Sequence, residues 1–188
     1  IGKSATGKDT IFQKLLENES LALKPLVLYT TRPMRAGEEQ GVQYHFTDEA
    51  GLTELQNAGK VIELRAYDTV HGVWKYFTAD TEATDLEKYN YVGVGVLESY
   101  RALRYYYGAK RVIPIYIEVE DGERLQRALD RERAQQEPKY AELCRRFLAD
   151  SEDFAEEKIA EAGIEKRFRN RDLKESIEEI SEYIKEHK

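Results

Sequence analysis

Apolar residues recur along the chain at helical and strand spacings, and those spacings lay out most of its elements. Ile11 to Leu16 is amphipathic and follows a glycine-rich stretch, so a helix is expected there. Leu16 to Lys24 is polar, and Pro25-Leu26-Val27-Leu28-Tyr29 has the length of a short buried strand. Thr30 to Glu38 is too polar and turn-rich for an element interior. Gln43 to Phe46 alternates like a strand; Thr47 or Asp48 can cap a helix carrying Leu52 and Leu55, which Gly59 closes. Val61 to Ala66 and Val73 to Thr78 read as paired strands around a turn near Asp68 to Gly72. Residues 30 to 80 thus form a small lobe inserted after the second strand.

Tyr91 to Val96 is an apolar run of strand length, and Gly93 and Gly95 within it imply close approach by a ligand or a neighbouring element. A helix is expected from Glu98 to Tyr107, and Val112 to Val119 is the clearest strand pattern in the chain. Strands separated by helical segments predict an α/β fold with a mostly parallel sheet and right-handed crossovers. Asp121 to Gln135 and Lys139 to Phe154 are charged helical stretches broken at Pro138, which predicts a helical hairpin. The last helix, Leu173 to Ile184, keeps Leu173, Ile177, Ile180 and Ile184 on one face.

Composition narrows the function. The 188 residues suit one compact core with lobes. A net charge of −7 argues against a broad nucleic-acid surface but leaves room for a local arginine cluster around a small anion. Cys144 is the one cysteine, which excludes an internal disulfide and fits a reducing cytoplasm. No apolar run approaches the ~18 residues of a membrane span, and no signal peptide is visible. The expected partners are small molecules, with neither nucleic acid nor membrane; composition says nothing of oligomeric state.

Gly2-Lys3-Ser4-Ala5-Thr6-Gly7-Lys8-Asp9-Thr10 has the G-x4-G-K spacing of a phosphate-binding loop. Its glycines let the backbone wrap closely, so that N–H groups and a helix N-terminus face phosphate oxygens, and Lys8 adds a positive charge for the β- and γ-phosphates. The alternative is a glycine-rich turn before an ordinary helix. Asp9 follows the lysine, with Thr10 behind it; a carboxylate there makes sense beside Mg2+ or turned toward solvent. The strand that should lead into such a loop is expected before Ile1, outside this numbering.

Arg32 and Arg35 flank Pro33, and guanidinium forks match the oxygens of a terminal phosphate monoester; Tyr44 could add a phenolic donor. The competing reading is two solvated surface arginines. Glu63, in a strand, is either an edge charge or a carboxylate that accepts the two adjacent donors of guanine. Arg124, Arg127, Arg131, Arg133, Arg145 and Arg146 alternate with acids in the charged hairpin. Most suit solvated faces, while one or two could neutralise a transferring phosphoryl group. The spacing does not choose among them. His45, His71 and His187 are scattered, without zinc-ligand spacing. Tyr105-Tyr106-Tyr107 ends a helix and reads as packing.

Taken together, nearly the whole chain resembles the guanylate kinase family. Gly2 to Thr10 is similar to its G-P-S-G-x-G-K-[GS]-[TS]. Thr30-Thr31-Arg32-Pro33-Met34-Arg35-Ala36-Gly37-Glu38, with Gly41, Tyr44 and Phe46, is similar to T-T-R-x-x-R-x-G-E-x-x-G-x-x-Y-x-F, a far more specific pattern. Val61-Ile62-Glu63 resembles F-[IL]-E, and His71-Gly72 with Tyr76-Phe77-Thr78 resembles H-G…Y-G-[ST]. Arg146 through Phe154 resembles the lid helix, and Asn170-Arg171-Asp172-Leu173 resembles N-x-D-L.

The resemblance implies a P-loop NTPase core (1–29, 79–120, 155–188), a monophosphate-binding lobe (30–78) and a helical lid (121–154) whose closure excludes water. It implies an ATP-dependent kinase phosphorylating GMP or dGMP with Mg2+. Arg32, Arg35 and Tyr44 would hold the acceptor's phosphate, Glu63 and Thr78 would read its base, and Tyr76 would also belong to the substrate site. Lys8, Arg131 and Arg146 would stabilise the moving phosphoryl group. The loop from Gly2 to Thr10 would hold ATP, with Asp9 toward Mg2+ and Asn170 near the adenine. Departures from the pattern are Asp9, Leu28 for a serine, Gly93 and Gly95 for acidic residues, a longer turn after Glu63, and Phe77 for a glycine. They leave two other readings: a kinase of this fold with another acceptor, such as another nucleotide or a ribose bisphosphate, and a non-catalytic scaffold module.

Overall fold

The structure, a computed structural model, describes residues 1–69 and 72–187. Along the chain come α1 (Lys8–Glu17), a 3-10 turn (Glu19–Leu21), β1 (Leu23–Pro25), β2 (Tyr29–Thr30), β3 (His45–Phe46) and α2 (Glu49–Asn57). Next are β4 (Val61–Thr69), β5 (Gly72–Ala79), β6 (Asn90–Val92), α3 (Leu97–Tyr107), β7 (Tyr116–Glu118) and α4 (Asp121–Arg133). The chain continues through α5 (Tyr140–Asp153), α6 (Glu156–Glu161), β8 (Arg167–Arg169) and α7 (Leu173–Glu186). Contacts group these into two units, residues 1–22 with 94–188, and residues 23–93.

In the first unit β7 pairs in parallel with β8, Tyr116 opposite Arg167 and Glu118 opposite Arg169. Ile1 runs along β7 as well: its N–H donates to Ile115 O and its carbonyl accepts from Ile117 N, both at 2.9 Å. The strand expected over Val112 to Val119 shrinks to Tyr116–Glu118. Pro114 lies just ahead of it and has no N–H to give a ladder. Leu97 and Tyr100 of α3, Tyr116, Phe154, Ile159 of α6 and Ile164 form the core here, with the Tyr116 and Phe154 rings stacked at 5.9 Å. The polar run after Leu16 hides a core residue: Leu21 is fully buried in the 3-10 turn, which packs with α1 against α7. In α7, Ile180 is buried but Leu173 is exposed, so the inward face begins at Ser176. The α4 and α5 helices pack on each other across Pro138, as the expected hairpin.

In the second unit β1 pairs in parallel with β6, and β3-β2-β5-β4 form a four-stranded sheet. There β2 and β3 are parallel, while β5 runs antiparallel to both β2 and β4. The strand expected through Val96 stops at Val92, and beyond it Gly93 faces the Leu26 side chain, which a Cβ would meet at 3.2 Å. The close approach is by a neighbouring segment. Asp48 caps α2 by accepting the Gly51 N–H at 2.8 Å, and Gly59 follows the helix at φ 66°. Leu52, Phe77 and Ala79 form the core of this unit, with Tyr29, Val61 and Leu64 against them.

The register between β4 and β5 shifts between Val61 and Glu63. Side chains alternate along a strand, so a shift by one residue re-aims every side chain beyond it. Val61 and Leu64 both reach the core, and Glu63 is left on the opposite face with Thr78 across from it. The fold is α/β, with an antiparallel hairpin carrying that face. His71, expected in the turn of this hairpin, lies outside the described residues.

Candidate functional site

The glycine loop is shaped as its spacing requires. Gly2 (φ 155°) passes so close to β7 that a Cβ would meet Ile117 O at 2.6 Å. Gly7 has φ 87° and caps α1 without a side chain, and a Cβ there would meet the Asn170 amide at 2.5 Å. Ala5 takes φ 62°, a left-handed conformation that costs a non-glycine residue about 1–2 kcal/mol. Thr6 is buried, and its hydroxyl donates to Lys3 O at 2.8 Å.

Lys8 Nζ donates to Lys3 O at 3.3 Å, so its ammonium lies back across the loop. Burial pushes its pKa below the ordinary value, Arg131 and Arg124 push the same way, and Asp9 and Asp150 oppose them. Asp9 and Thr10 are exposed in the first turn of α1. No group of three or more His, Cys, Asp or Glu among the described residues forms a metal cage.

Two helices of the charged hairpin grip the loop. Asp150 of α5 accepts the Ser4 N–H at 2.7 Å and Arg124 Nη1 at 3.1 Å. Arg124 of α4 is 1% exposed, lies 4.1 Å from the centre of the Phe147 ring, and donates through Nε to Asp121 at 3.0 Å. Its Nη2 is 2.9 Å from the same Asp121 oxygen without the alignment of a hydrogen bond. Lys3 pairs with Asp121 too, at 3.2 Å. Ser4, Arg124, Arg131, Glu132, Arg146 and Phe147 line one pocket. The two arginines singled out from the sequence, Arg131 and Arg146, thus meet beside the loop.

Asn170, expected near an adenine, is engaged by the glycine loop itself. It is 5% exposed, and its amide donates to Thr6 O at 2.8 Å while its oxygen accepts from Ser176 Oγ at 3.3 Å. Its backbone is held as well, N–H on Glu118 O at 3.0 Å and carbonyl under Arg127 Nη2 at 3.0 Å. The carboxamide faces the underside of the loop, which makes Asn170 a loop anchor.

In the second unit Arg32 is buried at 3% exposure, and its fork is taken by Glu38, Nη1 on Oε2 and Nη2 on Oε1, each at 2.8 Å. The guanidinium also stands over the Tyr44 and Phe46 rings at 5.3 and 5.4 Å. The Glu38 bond pushes the Arg32 pKa up, with Tyr76 adding to it. Arg32 and the Arg35 N–H, at 2.7 Å, hold the Glu38 carboxyl down at about 2. Arg32 is therefore no solvated arginine, but its fork is already engaged. Arg35 is exposed and its side chain is free of protein hydrogen bonds among the described residues. Burial raises the Tyr44 phenol above its ordinary pKa, with Tyr76 the next cause, so it stays a donor at neutral pH. The Tyr44 and Tyr76 rings meet edge-on at 5.5 Å.

Glu63 and Thr78 are brought together: Thr78 Oγ1 donates to Glu63 Oε1 at 3.0 Å. Glu63 Oε2 accepts Arg65 Nε at 3.1 Å, and the Glu63 side chain is 7% exposed. Phe77, the departure beside Thr78, is fully buried on the core face. Tyr105, read as packing, is 94% exposed.

Sequence reasoning missed Asp150, Glu38 and Arg65, and left Arg124 undistinguished among the hairpin arginines. Glu38 stood inside the arginine motif, three residues from Arg35, and that was its signal. Arg124 and Asp121 have the i,i+3 spacing of an ordinary helix pair, which does not announce burial. Arg65 had the i,i+2 spacing that puts it on the strand face of Glu63, and Asp150 left no signal.

Compared with known proteins, residues 1–187 match the family model described as "Guanylate kinase". A segment is 41% identical over 71 residues to the guanylate kinase of Methylobacillus flagellatus, covering 38% of this chain and 33% of that protein. Another comparison gives 43% over 61 residues with the guanylate kinase of Vibrio cholerae, covering 32% and 30%. The matched segments thus span about a third of these curated relatives. The crystal structure of guanylate kinase from Anaplasma phagocytophilum superposes with a TM-score of 0.60 at 20% identity, covering 98% of this chain and 82% of that one. That likeness speaks for the fold.

Proposed function

The chain belongs to the guanylate kinase family, and from that premise we propose that it moves the γ-phosphate of ATP to GMP or dGMP. The observation that carries the reading is the Glu63–Thr78 pair on one face of the lobe hairpin. A carboxylate beside a hydroxyl suits the two adjacent N–H donors of guanine. The loop from Gly2 to Thr10 and Lys8 would hold the ATP phosphates, with Asn170 anchoring the loop from below. Asp9 and Thr10, exposed at the first turn of α1, would face Mg2+ carried in with ATP, which neutralises charge on the phosphates when bound.

In the transfer, an oxygen of the acceptor phosphate bonds to the γ-phosphorus, and the bond to the bridging oxygen breaks, leaving ADP. Lys8, Arg131 and Arg146 neutralise charge on the moving group. Arg35 and Tyr44 bind the acceptor phosphate directly. Arg32, tied to Glu38, orders that arginine turn and adds positive field, and Tyr76 supports Tyr44. In this reading residues 1–29, 79–120 and 155–188 are the core, 30–78 the monophosphate-binding lobe and 121–154 the lid. The work is positioning and charge stabilisation, without a covalent intermediate. A cytoplasmic setting suits the exposed thiol of Cys144; no helix among the described residues is long and apolar enough to cross a membrane.

The test is ADP release with Mg-ATP and GMP, dGMP, AMP, CMP, UMP or ribose 1,5-bisphosphate. Turnover with GMP or dGMP, lost in Glu63→Ala, is the expected result. Turnover confined to another acceptor would sink the guanylate reading while keeping the kinase. ATP binding without turnover would point to an acceptor outside the panel, and no ATP binding would favour a scaffold module.

A further inference from the structure

Arg65 carries an assignment that the family patterns in the sequence do not contain. It follows Glu63 by two positions on β4, hence on the same face, and stands opposite Tyr76 of β5. Its Nε is bound to Glu63 Oε2 at 3.1 Å, which fixes the guanidinium plane beside the carboxylate, and its side chain is 19% exposed. Neither terminal amino group hydrogen-bonds to protein among the described residues. A half-sheltered, oriented guanidinium with its outer N–H groups unused is a ready donor for a planar ligand.

The neighbouring carboxylate says which ligand. Glu63 has roughly four lone-pair directions; Thr78 and Arg65 each take one, which leaves two acceptor positions. Along this face the protein therefore offers two acceptor positions and then, at Arg65, a pair of donors. The edge of guanine offers the complement in the same order, with the 2-amino and N1–H donors followed by the O6 and N7 acceptors. Arginine pairs bidentately with O6 and N7 wherever guanine is read on that edge. Adenine would set its 6-amino donor against the guanidinium and its N1 acceptor against the carboxylate.

We propose that Arg65 is a base-selecting residue, donating to O6 and N7, so that Glu63 and Arg65 together select a 6-oxo-2-aminopurine nucleotide. The assignment rests on GMP being the acceptor. The test is calorimetric titration with GMP and with 7-deaza-GMP, which lacks the N7 acceptor. The unaltered protein should bind GMP roughly tenfold more tightly than the analogue. Arg65→Ala should weaken GMP by roughly 10- to 100-fold and bind both ligands equally. Arg65→Gln, which keeps the side chain's bulk, serves the same comparison if the alanine variant unfolds. Equal weakening of both ligands with their ratio preserved would overturn the assignment and leave Arg65 only positioning Glu63. Equal affinity of the unaltered protein for both ligands would overturn it too. Absence of GMP binding by the unaltered protein would remove the guanylate reading along with it, an outcome distinct from the other two.

Discussion

Asp150 accepts the backbone N–H of Ser4 at 2.7 Å, so a helix 146 positions downstream holds one amide of the glycine loop. The same oxygen accepts Arg124 Nη1, and that arginine is almost wholly buried. Asp150→Ala would leave a sheltered amide without an acceptor and Arg124 with only Asp121 and a long 3.5 Å bond to Ser4 O. We expect a loss of about 1–3 kcal/mol in urea unfolding. Asp150→Asn keeps a carbonyl for Ser4 and should recover part of it. An alanine variant as stable as the parent would show that the contact adds nothing.

Ala5 is a second point of tension in the loop. Its φ of 62° is unfavourable for a side chain, and glycine would relieve it while giving back some entropy in the unfolded chain. Ala5→Gly should therefore raise stability by up to about 1 kcal/mol. A lower denaturation midpoint would contradict the strain.

Glu38 sets an acid limit. Its carboxyl is held at about 2, below the ordinary carboxylate value, by Arg32. A depressed folded pKa adds stability that is present above the unfolded value and is lost as pH falls toward the folded one. The difference in Tm between the parent and Glu38→Gln should be constant above pH 5 and shrink steadily from pH 4.5 toward 2. A difference independent of pH would show that the variant acts through shape and not charge.

Lys8 should matter to turnover in two ways, by charge and by titration. Lys8→Ala should lower ATP-dependent turnover by roughly 10²–10³ at neutral pH. Because burial lowers its pKa, activity that depends on the ammonium should fall on the alkaline side earlier than for a solvated lysine. Steady-state rates across alkaline pH check the second point.

What the chain's pattern could reveal depended on whether an element makes its own signal. The helices α2, α4 and α7 carry side-chain caps, α5 a periodic face after Pro138, and all four lie within a few residues of where the pattern put them. β8 does not announce itself: Arg167 and Arg169 flank one buried apolar residue, Phe168, and pairing to β7 makes it a strand. The site divides the same way. Spacing could point to the loop, to Arg32 and to Glu63, because each belongs to a local pattern. The contacts of Asp150 with Ser4 and Asn170 with Thr6 could not be read, since only folding brings them together, whereas Arg65 shares the face of Glu63 by strand pleat. The Val61–Glu63 register shift, which turns Glu63 away from the core, has no marker in the residues themselves.

The Asn170 bond to Thr6 spans 164 positions and gives the protein an order of events. On the ribosome the glycine loop is made long before Asp150 or Asn170 exists. Contacts so distant in sequence form late and slowly. A nascent chain bearing the whole glycine motif should therefore ignore ATP until its final third has been synthesised and docked. In the proposed reading, nucleotide competence then waits for Asp150 and Asn170, and ATP could not serve as a template for the early stages of folding.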